Sequence, residues 1–404
     1  MATLLLSSNM KNIVYDLIYS TMVSTTVNNN ETVDKKPTGL PEGKYRLVGW
    51  DIDTTGRRLI DEICQIAAYT TNAQFAQYVM PYASLNPFAQ RRHNIRVVTV
   101  SRYRMLKDLK TNKFLKTKSE ISALTDFISW LEQNRGDGTD GVILVFHEVR
   151  KLAPAMMLEA LRRYNLLERF SAVVKGFTNS YQLAESKCAN TMKSFSMKVL
   201  SRVLLDKDED LNNAADRARL CYLIVQHLGQ GERQDLDSEG SGDTGSMERH
   251  ATALVQQFAQ TITTEEVELA ELKALLERQN TFRPVFKDMM SNSSVTRQHA
   301  SWLRHILVQN NFDYNQLKNA WESGGKAALE EQLKMISNAN EKEYPELLEI
   351  LDCHFDPDKK PTSPTKSDSS PEKSASVISD PSSPQSNDTT TPRSSDNTQM
   401  PVAN

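Results

Sequence analysis

The sequence has few of the features that mark secreted, zinc-binding or membrane proteins. Its 404 residues contain only four cysteines, which lie far apart and form no Cys-x-x-Cys pair. This spacing argues against a disulfide framework and against a zinc module. No apolar run approaches the roughly 18 residues needed to cross a bilayer, and the short leucine run near the N-terminus is too brief for a signal peptide. We therefore expect a cytoplasmic protein with no membrane partner.

A strong excess of charge of one sign is also missing. The formal net charge is −3 although 25% of the residues are charged, so any nucleic-acid-binding surface has to be a local patch. Hydrophobic residues make up 39% of the chain, which is typical of soluble globular proteins. Because 404 residues exceed one ordinary core, the length predicts two domains with polar additions.

Composition divides the chain into five parts. Residues 1–43 are predicted to be a flexible N-terminal extension, and residues 358–404 a disordered tail rich in Ser and Pro. Residues 229–247 have almost no apolar content, which predicts a flexible linker. In residues 44–228 strand-like runs come first and then alternate with helices, which indicates an α/β domain around a mixed sheet flanked by helices. Residues 248–357 are predicted to form a small all-α domain.

A few local patterns define elements within these domains. Gly141–His147 is an almost continuous apolar run, which predicts a central strand buried on both faces. Ser119 and Asp313 are predicted to cap helices. Thr263, with Glu266 three residues later, predicts a capping box at the start of a Leu-rich helix.

The strongest chemical signal is the segment Trp50–Thr55, which ends the first predicted strand and carries Asp51 and Asp53. Because side chains alternate along a strand, the two carboxylates lie on one face and could share a divalent metal. Two further polar segments follow in the chain: His147–Leu152 after the buried strand and Asn212–Asp216 at the start of a helix.

This series resembles the motifs of the DEDD exonucleases, in which four carboxylates hold two magnesium ions and a His or Tyr acts as general base. The resemblance places the site at Asp51, Asp53, Glu148, Leu152, Asn212 and Asp216. Leu152 stands where the family has a metal-binding Asp, and Asp53 is one methylene shorter than the Glu of the family. Asn212 replaces the general base and cannot accept a proton at neutral pH. We therefore predict a vestigial site with no metal, no cofactor and no activity, with a weak metal-dependent 3′–5′ exonuclease as the alternative.

Longer segments resemble the Exuperantia family of insect maternal-effect proteins. They are Leu47–Leu59, Met80–Tyr82, Tyr103–Lys107, Leu276–Phe286 and Leu347–Pro357. The resemblance implies an exonuclease-like (RNase H-type) domain without activity, a SAM-like helical domain and a homodimer that binds structured mRNA elements. It also implies a role in ribonucleoprotein particles, with transport proteins, in localising maternal messages such as bicoid mRNA in the oocyte.

A basic segment offers a surface for RNA. Residues 91–118 contain ten basic side chains and one acid, a formal charge of +9, with Tyr103 and Phe114 interleaved as rings on which bases could stack. Arg297 and Arg304, seven residues apart on one helical face, could form a second patch. The predicted RNA-binding residues are Arg91, Arg92, Arg96, Arg102, Arg104, Lys107, Lys110, Arg297 and Arg304. Two alternatives stay open: a solvated lysine-rich connection, and a protein–protein scaffold that associates with RNA indirectly.

Overall fold

The computed structural model describes residues 39–231, 244–336, 343–356 and 358–359. Most of the predicted N-terminal extension, most of the predicted linker and nearly all of the predicted tail lie outside the described residues; Leu40, within the predicted extension, packs against the core and donates its amide to Gln256. Within the described ranges, every helix is too short or too polar to span a bilayer.

A seven-stranded mixed sheet organises the first part of the chain, in the order β10-β9-β8-β1-β2-β3-β7. Its strands are β1 (Tyr45–Thr54), β2 (Ile63–Tyr69), β3 (Gln74–Val79), β7 (Thr117–Lys118), β8 (Gly141–Phe146), β9 (Val174–Asn179) and β10 (Gln260–Thr261). β1 runs antiparallel to β2 and parallel to β8. Every residue of β8 is buried, which confirms the predicted central strand.

Helices pack on both faces of this sheet. Those of the sheet domain are α1 (Pro87–His93), α2 (Glu120–Asn134), α3 (Ala153–Arg163), α4 (Leu167–Val173), α5 (Ser180–Cys188), α6 (Met197–Leu205), α7 (Ala214–Gly231) and α8 (Thr244–Phe258). The predicted cap Ser119 accepts a hydrogen bond from the amide of Ser122 at the start of α2. The prediction of a mixed α/β sheet flanked by helices is confirmed.

The alternation of side chains along β1 separates two cores. Val48, Trp50 and Ile52 point into one core, which they share with apolar side chains of α2 and α3. Leu47 points into the other, together with Tyr222 of α7. Asp51 and Asp53 have the same parity as Leu47 and therefore also point towards α7.

Gly49 allows α7 to lie unusually close to β1. A Cβ atom at this position would lie 2.1 Å from the carbonyl oxygen of Ala218 and 2.8 Å from the Cβ of Tyr222. No real Cβ tolerates such a contact with backbone, so the helix can approach the strand only because residue 49 has no side chain. This close approach brings α7 side chains within reach of the two aspartates.

The basic segment folds into a second sheet and is more than a connection. Its strands are β4 (Ile95–Val100), β5 (Tyr103–Asp108) and β6 (Phe114–Leu115), here called the small sheet. Leu106 and Ile95 are buried against Cys64 and Leu85 in a separate small core. The sequence pattern was dominated by charge, which hid the alternating apolar residues that form this core.

The last part of the chain is helical. Its helices are α9 (Ile262–Thr281), α10 (Lys287–Met290), α11 (Ser294–Gln309), α12 (Tyr314–Leu333) and α13 (Glu343–Phe355). α12 is interrupted at Gly324 and Gly325, where the backbone leaves the helical conformation and divides the element into two helical segments. Asp313 accepts hydrogen bonds from two amides of the first turn, which confirms this predicted cap.

Two details of this region differ from the sequence-based expectation. α9 begins at Ile262 with Thr261 as its N-cap, so the predicted capping box of Thr263 and Glu266 is wrong. The helical domain was drawn from residue 248, but Leu254 and Val255 of α8 are buried in the core of the sheet domain, and β10 pairs with β9. The apolar face of α8 packs against α7. After α8 the chain adds β10 to the sheet, and only then does the helical domain begin.

Candidate functional site

The guanidinium of Arg217 binds both aspartates of the acidic motif. Its Nε donates to Asp51 Oδ2 at 2.6 Å and its Nη2 donates to Asp53 Oδ1 at 2.5 Å, while Nη1 donates to the carbonyl of Leu211 at 2.8 Å. Asp51, Asp53 and Arg217 are only 7%, 1% and 4% exposed. One buried cation therefore neutralises two buried carboxylates, and its three nitrogen atoms all have acceptors.

A second partner of Asp53 comes from α1. The Nδ1 of His93, which is itself buried, lies 2.6 Å from Asp53 Oδ1. Burial alone would raise the pKa of Asp53, but Arg217 and His93 outweigh it and lower this pKa to about 2. Asp53 is therefore ionised throughout the physiological range and is held between two nitrogen-bearing side chains.

These residues do not fit a divalent metal. A metal ion between Asp51 and Asp53 would need their free lone pairs, whereas Arg217 and His93 already occupy the oxygens that point into the site. The other oxygen of Asp51 accepts the amide of Ile52 at 2.6 Å. Within the described ranges, no three His, Cys, Asp or Glu side chains come together as possible metal ligands.

The second motif is used for helix capping. Glu148 Oε2 accepts the amides of Leu152 and Ala153 at 2.8 and 2.9 Å, so this carboxylate caps the first turn of α3. Burial raises the pKa of Glu148. Leu152 is partly buried against the apolar core. Lys151, next to it, turns away from the aspartates and pairs with Glu265 at 2.7 Å.

The third motif places its residues differently from the expected alignment. Asn212 donates its amide to Asp210 at 3.2 Å. Asp216, aligned from the sequence with a metal ligand, is partly exposed, and its carboxylate makes no hydrogen bond or ion pair with any other described residue. Successive residues of a helix point about 100° apart, so when Arg217 faces β1 its neighbour Asp216 cannot. The side chain of α7 that meets Asp51 is therefore a cation, Arg217.

His147 lies at the end of β8 and bonds within the protein. Its Nδ1 lies 2.9 Å from Ser180 Oγ, and this hydroxyl donates to the carbonyl of Phe146 at 3.0 Å. Burial lowers the pKa of His147 to about 4, so the ring is neutral at physiological pH.

The sequence carried a signal for Arg217 that the motif comparison did not use. Of the two arginines in the Ala-rich start of α7, Arg217 lies one position after Asp216, on the same helical face as the buried Leu220 and Ile224. A basic residue with buried helical neighbours needs an acidic partner, and the only acids known to lie on the facing strand were Asp51 and Asp53.

The small sheet arranges part of the basic segment on one outward face. Arg96 lies opposite Lys107, and Lys107 lies opposite Phe114, so these three side chains form a row across the strands. Lys107 Nζ lies 5.7 Å from the centre of the Phe114 ring. At the end of the same face Arg102 stacks on Tyr103, 5.2 Å from its centre. We call Arg96, Arg102, Tyr103, Lys107 and Phe114 the basic–aromatic face.

Other members of the basic segment have different surroundings. Arg104 has the opposite parity and donates to the carbonyl of Tyr82. Lys110 pairs with Asp210 at 3.2 Å, and Lys118 pairs with Asp126. The free positive charge of the segment is therefore smaller than the +9 counted from sequence. Arg91 is exposed on α1.

The second predicted patch is not assembled on the surface. Arg297 is exposed and donates to the carbonyl of Asn292 at 2.6 Å. Arg304, on the same helix, is only 6% exposed, and burial together with the nearby Arg283 lowers its pKa. A spacing of seven residues places Arg297 and Arg304 on one face of α11. The middle of this helix packs against other helices, however, so Arg304 is buried.

Two family profiles match the chain in the regions just described. A profile for the Exuperantia RNAse H-like domain matches residues 45–204, and one for the Exuperantia SAM-like domain matches residues 283–354. The chain is therefore an exonuclease-like mixed-sheet protein followed by a SAM-like helical region.

Curated relatives identify the family. The maternal protein exuperantia of Drosophila melanogaster is 37% identical, with 80% of this chain and 71% of the relative covered. The protein of the same name from Drosophila virilis is 38% identical over 79% of this chain and 71% of its own length. Maternal protein exuperantia-1 of Drosophila pseudoobscura pseudoobscura is 36% identical over 83% and 74%. The chain belongs to the Exuperantia family, as the quoted segments indicated.

Proposed function

We propose that this protein is a catalytically inactive exonuclease-like RNA-binding protein that acts as a dimeric adaptor in the localisation of maternal mRNA. The observation that carries the proposal is the position of Arg217 between Asp51 and Asp53. A phosphodiester-cleaving site of this class needs carboxylates that bind metal ions. Here the carboxylates bind an arginine. The fold is retained, but its carboxylates are not free to bind the metal ions that would activate a water molecule.

The basic–aromatic face supports the RNA-binding part of the proposal. Tyr103 and Phe114 are 60% and 49% exposed, so both rings are accessible to a base. Each lies beside a cation, so one ring can stack on an unpaired base while the neighbouring cation contacts a phosphate. Surfaces of this composition bind single-stranded or looped RNA and depend strongly on salt.

The adaptor role extends the proposal beyond the single chain. The relatives are named as maternal proteins, and mRNA localisation in the oocyte needs a protein that holds RNA without degrading it. A homodimer would present two basic–aromatic faces to one structured RNA, and weak contacts would then add through effective concentration. Ile60 and Tyr82, 78% and 82% exposed, are apolar side chains of the sheet domain that a dimer contact could cover. We further propose cytoplasmic ribonucleoprotein particles as the site of action.

A salt-dependent titration tests RNA binding. We expect the variant Arg96→Gln/Arg102→Gln/Lys107→Gln to bind RNA on the order of tenfold more weakly than the unchanged protein. Its plot of log affinity against log salt should be flatter by up to about 2, since each lost phosphate contact removes about 0.7. The matched control is Lys110→Gln/Lys118→Gln, which changes two lysines of the same segment that already pair with acids. An equal loss in the control, or none in the first variant, would move the RNA site elsewhere and favour a scaffold role.

A further inference from the structure

A small cavity opens beside the bound aspartates, and three arginines are among the residues that line it. It is bounded by the loop after β1, by α1 and by the start of α3, and its volume is about 40 Å³. Its ionisable lining residues are Arg57, Arg92, His93, Glu148 and Arg150. Since one water needs roughly 10–15 Å³ of such space, the cavity holds a group of a few heavy atoms and excludes a nucleobase.

The three arginines form no close ion pair. Within the part of the chain that the structure describes, the guanidinium groups of Arg57, Arg92 and Arg150 have no carboxylate within 4 Å and no hydrogen bond, and Asp51 and Asp53 act on Arg92 only from a greater distance. Arg57 lies over the ring of Phe88, 5.9 Å from its centre. Glu148 is the one acid in the lining, and its carboxylate already accepts two backbone amides of α3. The cavity therefore presents an excess of positive charge with unused donors.

Several contacts hold the elements that carry these arginines in place. The carbonyl of Thr55, before Arg57, accepts the amide of Asn86, the residue that caps α1. The same short helix places His93 on Asp53 and so fixes the position of Arg92 next to it. A Cβ atom on Gly56 would lie 2.3 Å from Asp61 Oδ2, so the loop is tightly packed at this point.

We propose that this cavity is a binding site for a phosphomonoester. A terminal phosphate has three acceptor oxygens and a charge of about −1.5 to −2, which suits three guanidinium groups better than the single charge of a carboxylate does. The nucleoside that carries the phosphate would remain outside, next to the exposed ring of Phe88. The phosphate belongs either to the end of an RNA chain or to a free nucleotide, since both carry the same group.

Calorimetric titration of the full-length protein tests the site. We expect inorganic phosphate and adenosine monophosphate to bind, and adenosine not to bind. Arg92→Gln and Arg150→Gln should each weaken phosphate binding by on the order of tenfold, as expected for loss of a charge-assisted hydrogen bond. Arg91→Gln is the matched control, since Arg91 is the preceding residue of the same helix but does not line the cavity. Its affinity for phosphate should equal that of the unchanged protein.

Two RNA oligonucleotides distinguish the source of the phosphate. An RNA with a terminal phosphate that binds more tightly than the same RNA with a terminal hydroxyl assigns the site to RNA ends, whereas equal affinity assigns it to free nucleotides. Failure of both inorganic phosphate and adenosine monophosphate to bind would overturn the proposal, and so would an equal loss in Arg91→Gln and Arg92→Gln. The result is separate from RNA binding by the basic–aromatic face, because Arg96→Gln/Arg102→Gln/Lys107→Gln leaves the cavity intact.

Discussion

The Nε of Arg217 lies 2.6 Å from Asp51 Oδ2, in a contact between β1 and α7 that shields both side chains from solvent. The same guanidinium reaches Asp53, so a single helix residue neutralises both carboxylates. This cluster is part of the buried core between β1 and α7. Its consequences for stability, metal response and pH dependence can each be measured.

Removing the cation should be far more costly than removing the whole cluster. We expect Arg217→Met to lower the free energy of unfolding by on the order of 3–5 kcal/mol, because it leaves two buried carboxylates without a counter-charge. The variant Asp51→Asn/Asp53→Asn/Arg217→Met should recover a large part of this loss, because no buried charge remains unpaired. Urea denaturation measures both values. Equal stability of the single and triple variants would show that the cluster contributes no electrostatic stabilisation.

Restoring an acid at position 217 should create a metal response. In Arg217→Asp, three carboxylates face one another at the end of β1, and we expect Mn²⁺ to raise the melting temperature while EDTA reverses the effect. The unchanged protein should show no shift. Arg219→Asp is the matched control, because Arg219 lies two residues further along the same helix and pairs with Glu209. A similar Mn²⁺ shift in this control would indicate non-specific binding.

His147 should contribute to the loss of stability in acid. Its pKa is about 4 in the folded protein and about 6.5 in an unfolded chain, so protons bind preferentially to the unfolded state. The stabilisation is complete above pH 6.5 and is lost as the pH falls towards 4, by on the order of 2–3 kcal/mol. His147→Gln should therefore flatten the stability curve between pH 6.5 and 4. The exposed His227→Gln should leave the slope unchanged, and parallel curves for all three proteins would contradict the assignment.

Gly49 should be intolerant of any side chain. In Gly49→Ala the new methyl group would lie 2.1 Å from the carbonyl oxygen of Ala218, so α7 must move away from β1. We expect a loss of about 1–3 kcal/mol, as for other overpacked cores. Gly138→Ala is a useful comparison for space, since nothing lies within 4 Å of a Cβ there, although its positive φ adds some strain. Thermal unfolding that ranks Gly138→Ala as the more damaging change would contradict the close approach of α7.

The sequence predicted the architecture better than the site. Apolar runs such as Gly141–His147 and caps such as Ser119 and Asp313 depend on local chemistry, and the structure has them where the pattern placed them. The small sheet was missed because its apolar residues alternate with a dense run of charge. The role of α8 was missed because it packs on α7 and shares a core with Leu47 and Val145, which are about two hundred and one hundred residues earlier in the chain.

The site itself depends on one long-range contact that no local pattern contains. The motif pattern grouped Asp51, Asp53 and Asp216 and predicted a missing ligand at Leu152, whereas in the structure Arg217 and not Asp216 contacts the two aspartates. Only the direction in which α7 presents its side chains distinguishes Asp216 from Arg217, and this direction follows from the packing of the helix over Gly49. A shift of one residue changes the charge at this position from negative to positive.

The most direct test of the account is a single incubation in which RNA binding and RNA cleavage are measured together. The full-length protein is mixed with an end-labelled single-stranded RNA in the presence of Mg²⁺ or Mn²⁺, and bound and shortened RNA are quantified over time. With Arg217 between Asp51 and Asp53, we expect salt-sensitive binding and no release of 3′ nucleotides. Metal-dependent release that disappears in Asp51→Asn would contradict the central claim that this exonuclease fold holds RNA without cutting it.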